Sequence, residues 1–173
     1  MNFQEIYSEH SNLVFNLCLH YLQNKEDAQE VAQDVFIKVY DKIHSFKENS
    51  SLKTWIYRIT INTSLDFIKA KKRNKRIFLY SALQIDDPNR VIHAVNFDHP
   101  GVLMEDKESV EKIFQALNKL PVEQKTVVIL LRLEQKTQAE TADIMLKTIK
   151  AVESLFQRAK KNLNTILNEN EGL

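Results

Sequence analysis

The chain of 173 residues carries 24 Lys+Arg against 23 Asp+Glu, with 43% hydrophobic residues, two glycines, three prolines and one cysteine. The hydrophobic content supports packed cores and excludes general disorder, the single Cys18 excludes a disulfide framework, and the shortage of turn-forming glycine and proline favours helices over strands. The length suits one domain or two small ones.

Targeting and membrane signals are not found in the sequence. The opening residues, MNFQEIYSEH, hold acids and no basic segment, which predicts that there is no signal peptide. No apolar run approaches the ~18 residues that a spanning helix needs, so no insertion into a membrane is expected. A cytoplasmic protein is the simplest interpretation.

The first predicted elements are an early helix or helix pair over roughly residues 3–22 and a second, acidic helix with Asn24 as its N-cap. In the stretch EDAQEVAQDVFIKVYDKI, apolar residues recur at helical spacing. The opposite face is polar and carries Asp27, Glu30, Gln33, Asp34 and Asp41.

The next helix, predicted to start near Ser50 or Ser51, concentrates positive charge. Residues 51–76 contain eight basic residues against one acid, and they include the only tryptophan. Apolar stripes on two sides of this helix predict that it packs on two sides. The stripe between them is predicted to be an exposed edge, formed by Trp55, Arg58, Asn62, Asp66 and Lys69.

Residues 77–108 contain two of the three prolines and show no sustained period, which predicts a linker. Two helices divided at Leu120-Pro121 should follow, with Pro121 in the first turn of the second. A helix-turn-helix comes next, where Thr137 and Glu140 form a capping box and Thr148 caps the last helix. In that last helix the predicted core stripe is Ile149, Val152, Phe156, Ala159 and Leu163.

The sequence contains no motif that supports an enzymatic function. The five histidines have no metal-ligand spacing, and there is no glycine-rich phosphate loop or GxSxG elbow. His93 and His99 near Asp98 are interpreted as solvated side chains of the linker. No catalytic residue, metal site or cofactor is therefore predicted.

Nucleic acid explains the charge pattern better, because phosphates attract lysine and arginine. Arg58, Asn62 and Lys69 supply donors for phosphates and base edges, and Trp55 and Tyr57 offer rings for stacking on unpaired bases. The residues alone leave an alternative open, in which Trp55 belongs to the core and the lysines form a solvated tail.

The stretches EDAQEVAQDVFIKVYDKI, SFKENSSLKTWIYRITINTSLDFIK and LNKLP…VESLFQRAKKNL resemble bacterial RNA polymerase sigma factors of the extracytoplasmic-function class. The resemblance covers nearly the whole chain except the linker. It implies an all-α fold of two small helical domains, region two over residues 1–76 and region four over residues 109–173, joined by a flexible linker at 77–108. It further implies a polymerase subunit that recognises promoters and helps to open them, without enzymatic activity of its own.

The resemblance also implies a role for three sets of residues. The surface that docks on core polymerase would comprise Asp27, Glu30, Gln33, Asp34 and Lys38. The minus-ten promoter element would contact Ser50, Ser51, Lys53, Trp55, Arg58, Asn62 and Lys69, beside a polar loop at Phe46–Ser51 that receives a flipped base. The minus-thirty-five element would be read by Lys150, Glu153, Ser154, Gln157, Arg158 and Lys161.

Core polymerase, promoter DNA and an anti-sigma factor, often membrane-bound, are the partners that the resemblance implies. The chain departs from the family at Leu146, where members commonly place Gly or Asn in the turn, and at Lys136 and Thr141, which replace residues that are usually apolar.

Two other functions stay open on the sequence. A free-standing helix-turn-helix regulator would bind duplex DNA without polymerase, but it leaves the acidic helix without a role. A protein-interaction adaptor leaves the net charge of +7 in residues 51–76 unexplained.

Overall fold

The computed structural model describes residues 2–47, 49–83 and 107–171, and these residues form helices and short connections without strands. The α-helices are α1 (Phe3–Leu22), α2 (Lys25–Lys42), α3 (Leu52–Leu83), α4 (Lys107–Lys119), α5 (Val122–Val128), α6 (Gln138–Met145) and α7 (Ile149–Glu171). A 3₁₀ turn at Ile43–Ser45 follows α2, and a π-helical segment at Ile129–Leu133 follows α5. The predicted all-α fold is confirmed.

The described residues form two compact units. One contains residues 2–46 and 59–83, and the other contains residue 47, residues 49–58 and residues 107–171. The first turns of α3 thus belong to the same unit as the helix-turn-helix. The predicted linker began at residue 77, whereas α3 continues to Leu83 and α4 begins at Lys107; His93 and His99 lie outside the described residues.

The helices of the first unit begin at side-chain caps. The Asn24 side chain accepts a hydrogen bond from the backbone N–H of Asp27 at 2.8 Å, which confirms Asn24 as the N-cap of α2. Asn2 and Glu5 form a reciprocal capping box at the start of α1. Each cap satisfies an N–H group that has no partner within the helix.

The core of the first unit consists mainly of aliphatic side chains from α1 and α2. Val14, Leu17, Val31 and Val35 are fully buried. Cys18 is also buried, and the Ser64 hydroxyl of α3 donates to its sulfur at 3.7 Å. Burial raises the pKa of the Cys18 thiol to about 12, so Cys18 stays a neutral core residue.

The second unit packs α4 and α5 against α7, and its core includes Leu117, Val127, Leu130 and Val152. Pro121 lies at the N-cap of α5, one position before the first turn in which it was predicted. This position still suits proline, because the N–H groups at a helix start need no carbonyl partner within the helix.

The predicted helix-turn-helix is formed by α6 and α7. The Thr137 N–H donates to Glu140 Oε2 at 2.8 Å and the Glu140 N–H donates to Thr137 Oγ1 at 3.1 Å, so the predicted capping box is confirmed. Leu146 ends α6 in the left-handed conformation, with φ 55° and ψ 45°. Thr148 then caps α7 by accepting from the Ala151 N–H at 3.2 Å.

The core stripe of α7 differs from its prediction at both ends. Val152, Phe156 and Ala159 are buried as expected, but Ile149 is 50% exposed and Leu163 is only half-buried. Ile149 is the first residue of α7, so no preceding turn covers its side chain. Leu155, which the predicted stripe omitted, is buried instead.

Candidate nucleic-acid interface

On the polar face of α2, some side chains are exposed and others contact α3. Glu30, Gln33 and Asp34 are exposed. The two remaining members of the predicted polymerase-docking set contact α3. The Asp27 carboxylate forms an ion pair with Lys71, and the Lys38 ammonium donates to Thr63 Oγ1 at 3.1 Å. The face free to meet a partner is therefore centred on Glu30, Gln33 and Asp34.

The start of α3 is fixed by a serine cap. The Thr54 N–H donates to Ser51 Oγ at 3.1 Å, and the Ser51 hydroxyl donates to Thr54 Oγ1 at 2.9 Å. These bonds set the direction in which the chain enters α3 from the polar loop. Ser51 and Lys53 remain exposed there, whereas Ser50 is half-buried.

A cavity of about 300 Å³ opens beside this loop within the second unit. The predicted minus-ten residues Ser50, Ser51, Lys53 and Arg58 all line it. Its other walls are formed by Asn49, Thr54, Tyr57, Lys136, Glu140, Asp143 and Ile144. The structure thus brings together four predicted contacts with hydroxyl and cationic groups at one concave surface.

The rest of the predicted minus-ten set lies along α3, outside this cavity. Asn62 and Lys69 are exposed, and Lys69 is 3.5 Å from the Asp66 carboxylate. Trp55 is half-buried, so its ring belongs neither to the sealed core nor to a fully exposed edge. Beyond Lys69 the cations Lys72 and Arg73 are also exposed.

Two further contacts in the second unit could not be found from the sequence. The Tyr57 hydroxyl donates to Glu134 Oε2 at 2.8 Å. The Arg58 guanidinium donates to the backbone oxygens of Asp143 at 2.6 Å and Ile144 at 3.3 Å. Burial and the charge of Glu134 raise the pKa of Tyr57, so Tyr57 keeps its proton and acts as the donor.

The outer face of α7 carries every predicted minus-thirty-five residue in an exposed position: Lys150, Glu153, Ser154, Gln157, Arg158 and Lys161. The opposite face carries the buried Val152 and Phe156, and α7 packs against α5 and α6. Packing on one side therefore leaves one polar face free. A helix with such a face at the second position of a helix-turn-helix suits the major groove.

Cations around Phe156 were missed at the sequence level. The Arg132 guanidinium lies 4.9 Å from the centre of the Phe156 ring, and the Lys160 ammonium lies 5.4 Å from it. Both cations are exposed, so they add positive charge beside α7. Lys160 could have been found from the charge count of α7, whereas Arg132 comes from a different element.

No metal or membrane site emerges within the described parts of the chain. Residues 2–47, 49–83 and 107–171 contain no cluster of three or more histidine, cysteine or acidic side chains suited to a metal ion. Across the same residues, no helix combines the length and the apolar character that crossing a membrane requires.

Comparison with protein families decides among the possible functions. Residues 6–74 match the model of sigma-70 region 2, and residues 111–163 match that of sigma-70 region 4. An extracytoplasmic-function (ECF) RNA polymerase sigma-E factor from Haemophilus influenzae is 31% identical over 92% of this chain and 84% of its own length. The chain belongs to the ECF family of RNA polymerase sigma factors.

Other relatives agree with this assignment. The ECF sigma factor SigW of Bacillus subtilis is 28% identical to this sigma factor over 96% of the chain and 89% of its own length. Among solved structures, the sigma factor RpoE of Bartonella quintana, in complex with the anti-sigma factor NepR, shares the fold with a TM-score of 0.64 at 20% identity, covering 96% of both chains. CnrH, in complex with the cytosolic domain of CnrY, gives a TM-score of 0.66 at 18% identity, over 96% of this chain and 88% of its own.

Proposed function

We propose that this sigma factor docks on core RNA polymerase through α2, opens the minus-ten element with the polar loop and α3, and reads the minus-thirty-five element with α7. The observation that carries the proposal is the exposure of all six predicted residues on the outer face of α7, on a helix whose other face is packed. Sequence-specific readout needs such a rigidly held polar face.

Docking on polymerase is assigned to Glu30, Gln33 and Asp34. These side chains are exposed on α2, whereas Asp27 and Lys38 hold α2 to α3. We assign Asp27 and Lys38 to supporting the docking helix rather than touching the partner. An exposed acidic face suits a partner surface rich in cations.

Promoter opening is assigned to the loop and α3. Ser50, Ser51, Lys53 and Arg58 line one cavity with the dimensions of a small binding site. A base that leaves the duplex there would find hydroxyl groups and cations, while Trp55 offers a ring for stacking. Asn62 and Lys69 would hold the strand farther along α3.

Regulation by an anti-sigma factor is part of the proposal. The two solved structures described above each hold a partner chain, and the RpoE partner is an anti-sigma factor. A partner that covers the docking face of α2 would compete with polymerase. We place this competition in the cytoplasm, where core polymerase acts, and we assign the protein no enzymatic activity of its own.

Transcription in vitro tests the whole proposal. The protein is mixed with core polymerase and a library of genomic fragments, and permanganate footprinting maps unpaired thymines on the transcribed templates. Trp55→Ala, Arg58→Ala and Lys69→Ala should each weaken the bubble, because each removes a stacking surface or a cation. Lys25→Ala is the matched control, since Lys25 is an exposed cation in the first turn of α2.

Two results would count against the proposal. A bubble of full strength in all three variants would remove α3 from promoter opening. Binding of duplex promoter DNA by the free protein, unaltered by core polymerase, would instead favour a regulator that acts without polymerase.

A further inference from the structure

The outer face of α7 carries a single acid among its cations. From Ile149 to Asn168 the sequence of the helix contains four lysine or arginine residues and one acid, Glu153. Glu153 is exposed. When α7 lies in a groove of DNA, a carboxylate on this face meets a polyanion, and its repulsion from phosphates lowers the affinity for every sequence. A specific contact that offsets this repulsion is therefore expected.

The carboxylate of Glu153 has no partner inside the described protein. Lys150 lies three residues before it and Gln157 four residues after it, at spacings that permit side-chain pairs on a helix. Within residues 2–47, 49–83 and 107–171, however, the Glu153 side chain takes part in neither an ion pair nor a hydrogen bond. Its oxygens therefore keep their acceptor sites for a group outside the chain.

The place of Glu153 along α7 suits contact with a base. Glu153 is the fifth residue of the helix, and the cap at Thr148 fixes where the helix starts. The residues near the start of a recognition helix contact base edges in the major groove. A carboxylate is repelled by the phosphates on both sides of that groove, so the base edges are the part of the duplex that Glu153 can bind.

The edges of the four bases limit what a carboxylate can read. An ionised carboxylate only accepts hydrogen bonds. Guanine presents the acceptors N7 and O6, and thymine presents the acceptor O4 and a methyl group, so neither base offers it a hydrogen. Adenine presents its N6 amino group beside the acceptor N7, whereas cytosine presents the N4 amino group without a neighbouring acceptor of its own. Cytosine is therefore the base that best fits Glu153.

We propose that Glu153 is a specificity-determining residue, which selects cytosine at one base pair of the upstream promoter element by accepting a hydrogen bond from its N4 amino group. The inference rests on the proposed function, because it takes α7 to lie in the major groove. It goes further by naming a base that the promoter must carry. Repulsion from the acceptors of guanine and thymine adds to the selection, since specificity is a difference between affinities.

Glu153→Gln tests the chemistry of this contact. The variant keeps the shape of the side chain, removes its charge and adds an amide donor, and a glutamine pairs with N6 and N7 of adenine. Holoenzyme is incubated with duplex promoter fragments randomised upstream of the bubble, and the bound and free fragments are sequenced. We expect the preference at one base pair to move from cytosine to adenine, with the ratio of the two affinities changing on the order of tenfold.

Glu153→Ala separates attraction from repulsion. The variant lacks both the acceptor and the charge, so the preference for cytosine at the same base pair should fall roughly tenfold. Fragments with guanine or thymine there should bind more tightly to this variant than to the unmodified holoenzyme, because the repulsion is gone.

Glu169→Gln is the matched control for both substitutions. It removes an equal charge from an exposed position of α7, about 24 Å farther along the helix axis. Glu169 also follows residues 111–163, which match the region 4 model. This variant should keep every base preference of the unmodified protein.

The outcomes distinguish this inference from the proposed function. If Glu153→Gln bound all fragments more tightly by the same factor, with base preferences unchanged, Glu153 would act through its charge alone and the assignment would be overturned. A change confined to base pairs where the unmodified protein does not select cytosine would overturn it too. If the unmodified holoenzyme bound all upstream sequences equally, the reading of this element by α7 would itself be wrong, and the proposed function would fail together with the inference.

Discussion

Lys71 of α3 forms an ion pair with Asp27 of α2, in which the acid is largely buried and the lysine is mostly exposed. Asp27 is also in the first turn of α2, where a negative charge favours the helix dipole. We therefore expect Asp27→Asn to lower the free energy of unfolding by about 0.5–1 kcal/mol, with affinity for core polymerase nearly unchanged. Urea unfolding and a core-binding titration measure the two effects.

Asp34→Lys is the counterpart to that substitution. Asp34 is exposed and off the apolar stripe, so the variant should keep its unfolding free energy and lose affinity for core polymerase. The assignment of docking to the exposed part of α2 would be wrong if Asp27→Asn weakened polymerase binding more than Asp34→Lys did.

Arg158 is expected to read a base in the upstream promoter element. It is exposed on α7, and its Nε donates to the Ser154 backbone oxygen at 3.4 Å. Arg158→Ala should cost ~1–3 kcal/mol and relax the preference at one base pair if the guanidinium makes a bidentate contact to guanine. Holoenzyme binding to a library mutated upstream of the bubble, at two salt concentrations, measures both quantities.

A phosphate contact would give a different pattern for Arg158→Ala. Affinity would fall about equally on all sequences, and the salt slope would shrink by about one unit. Lys25→Ala serves as the control for a general loss of charge. Unchanged affinity and unchanged base preference would leave promoter choice to α3 and the polar loop.

Replacing Leu146 by glycine should stabilise the protein. Its φ of 55° and ψ of 45° place a residue with a Cβ in the left-handed region, which costs roughly 1–2 kcal/mol relative to glycine. The side chain is 75% exposed, so little packing is lost. Leu146→Gly should raise the unfolding free energy by about 1 kcal/mol, whereas Met145→Gly within α6 should lower it by a similar amount.

Replacing Thr141 by valine should stabilise the protein. Thr141 is fully buried, and its Oγ1 has no hydrogen-bond partner among the described residues. A buried hydroxyl without a partner costs about 1–3 kcal/mol, and valine keeps the branched shape without the oxygen. Thr141→Val should raise the midpoint of thermal unfolding, while Thr141→Ser, which keeps the hydroxyl and loses a methyl group, should lower it.

Glu140 should make the helix-turn-helix sensitive to acid. Hydrogen bonds from the Thr137 backbone and hydroxyl lower the pKa of Glu140. A lowered pKa in the folded state gives stability that is complete above the unfolded pKa of about 4.3 and is lost as the pH falls through the folded value. Glu140→Gln should therefore destabilise the protein at pH 7 and flatten the loss of stability below pH ~4. Chemical unfolding across a pH series, with the exposed Glu153→Gln as control, measures both.

The helix caps and the exposed face of α7 are the features of the fold that the sequence predicted correctly. The caps at Asn24, Thr137 and Thr148 depend on side chains within three residues of their partners, so spacing alone identifies them. The helical period likewise predicts which face of α7 is exposed. The prediction that Ile149 is buried was wrong, because the period does not take into account where the helix begins.

Long-range contacts account for what the sequence did not predict. Tyr57 meets Glu134, and Arg58 meets Asp143, through pairings of 77 and 85 residues apart along the chain. The sequence alone therefore predicts Arg58 as an exposed DNA contact, whereas in the structure its guanidinium donates hydrogen bonds to α6. The continuation of α3 to Leu83 was missed because residues 77–83 were grouped with the proline-containing stretch that follows them.

The π-helical turn at Ile129–Leu133 should appear as a one-residue insertion when sequences of the family are aligned. The Glu134 N–H bonds to the Ile129 backbone oxygen at 2.9 Å, a spacing of five residues that accommodates one more residue than an α-helical turn of the same path. Relatives with a regular α-helix here should be one residue shorter, and their counterpart of Glu134 should point about 100° around the helix axis. Deleting Leu131 should likewise regularise this turn at the expense of the Tyr57 hydrogen bond, so a gap of one residue in an alignment would mark the members that lack this contact.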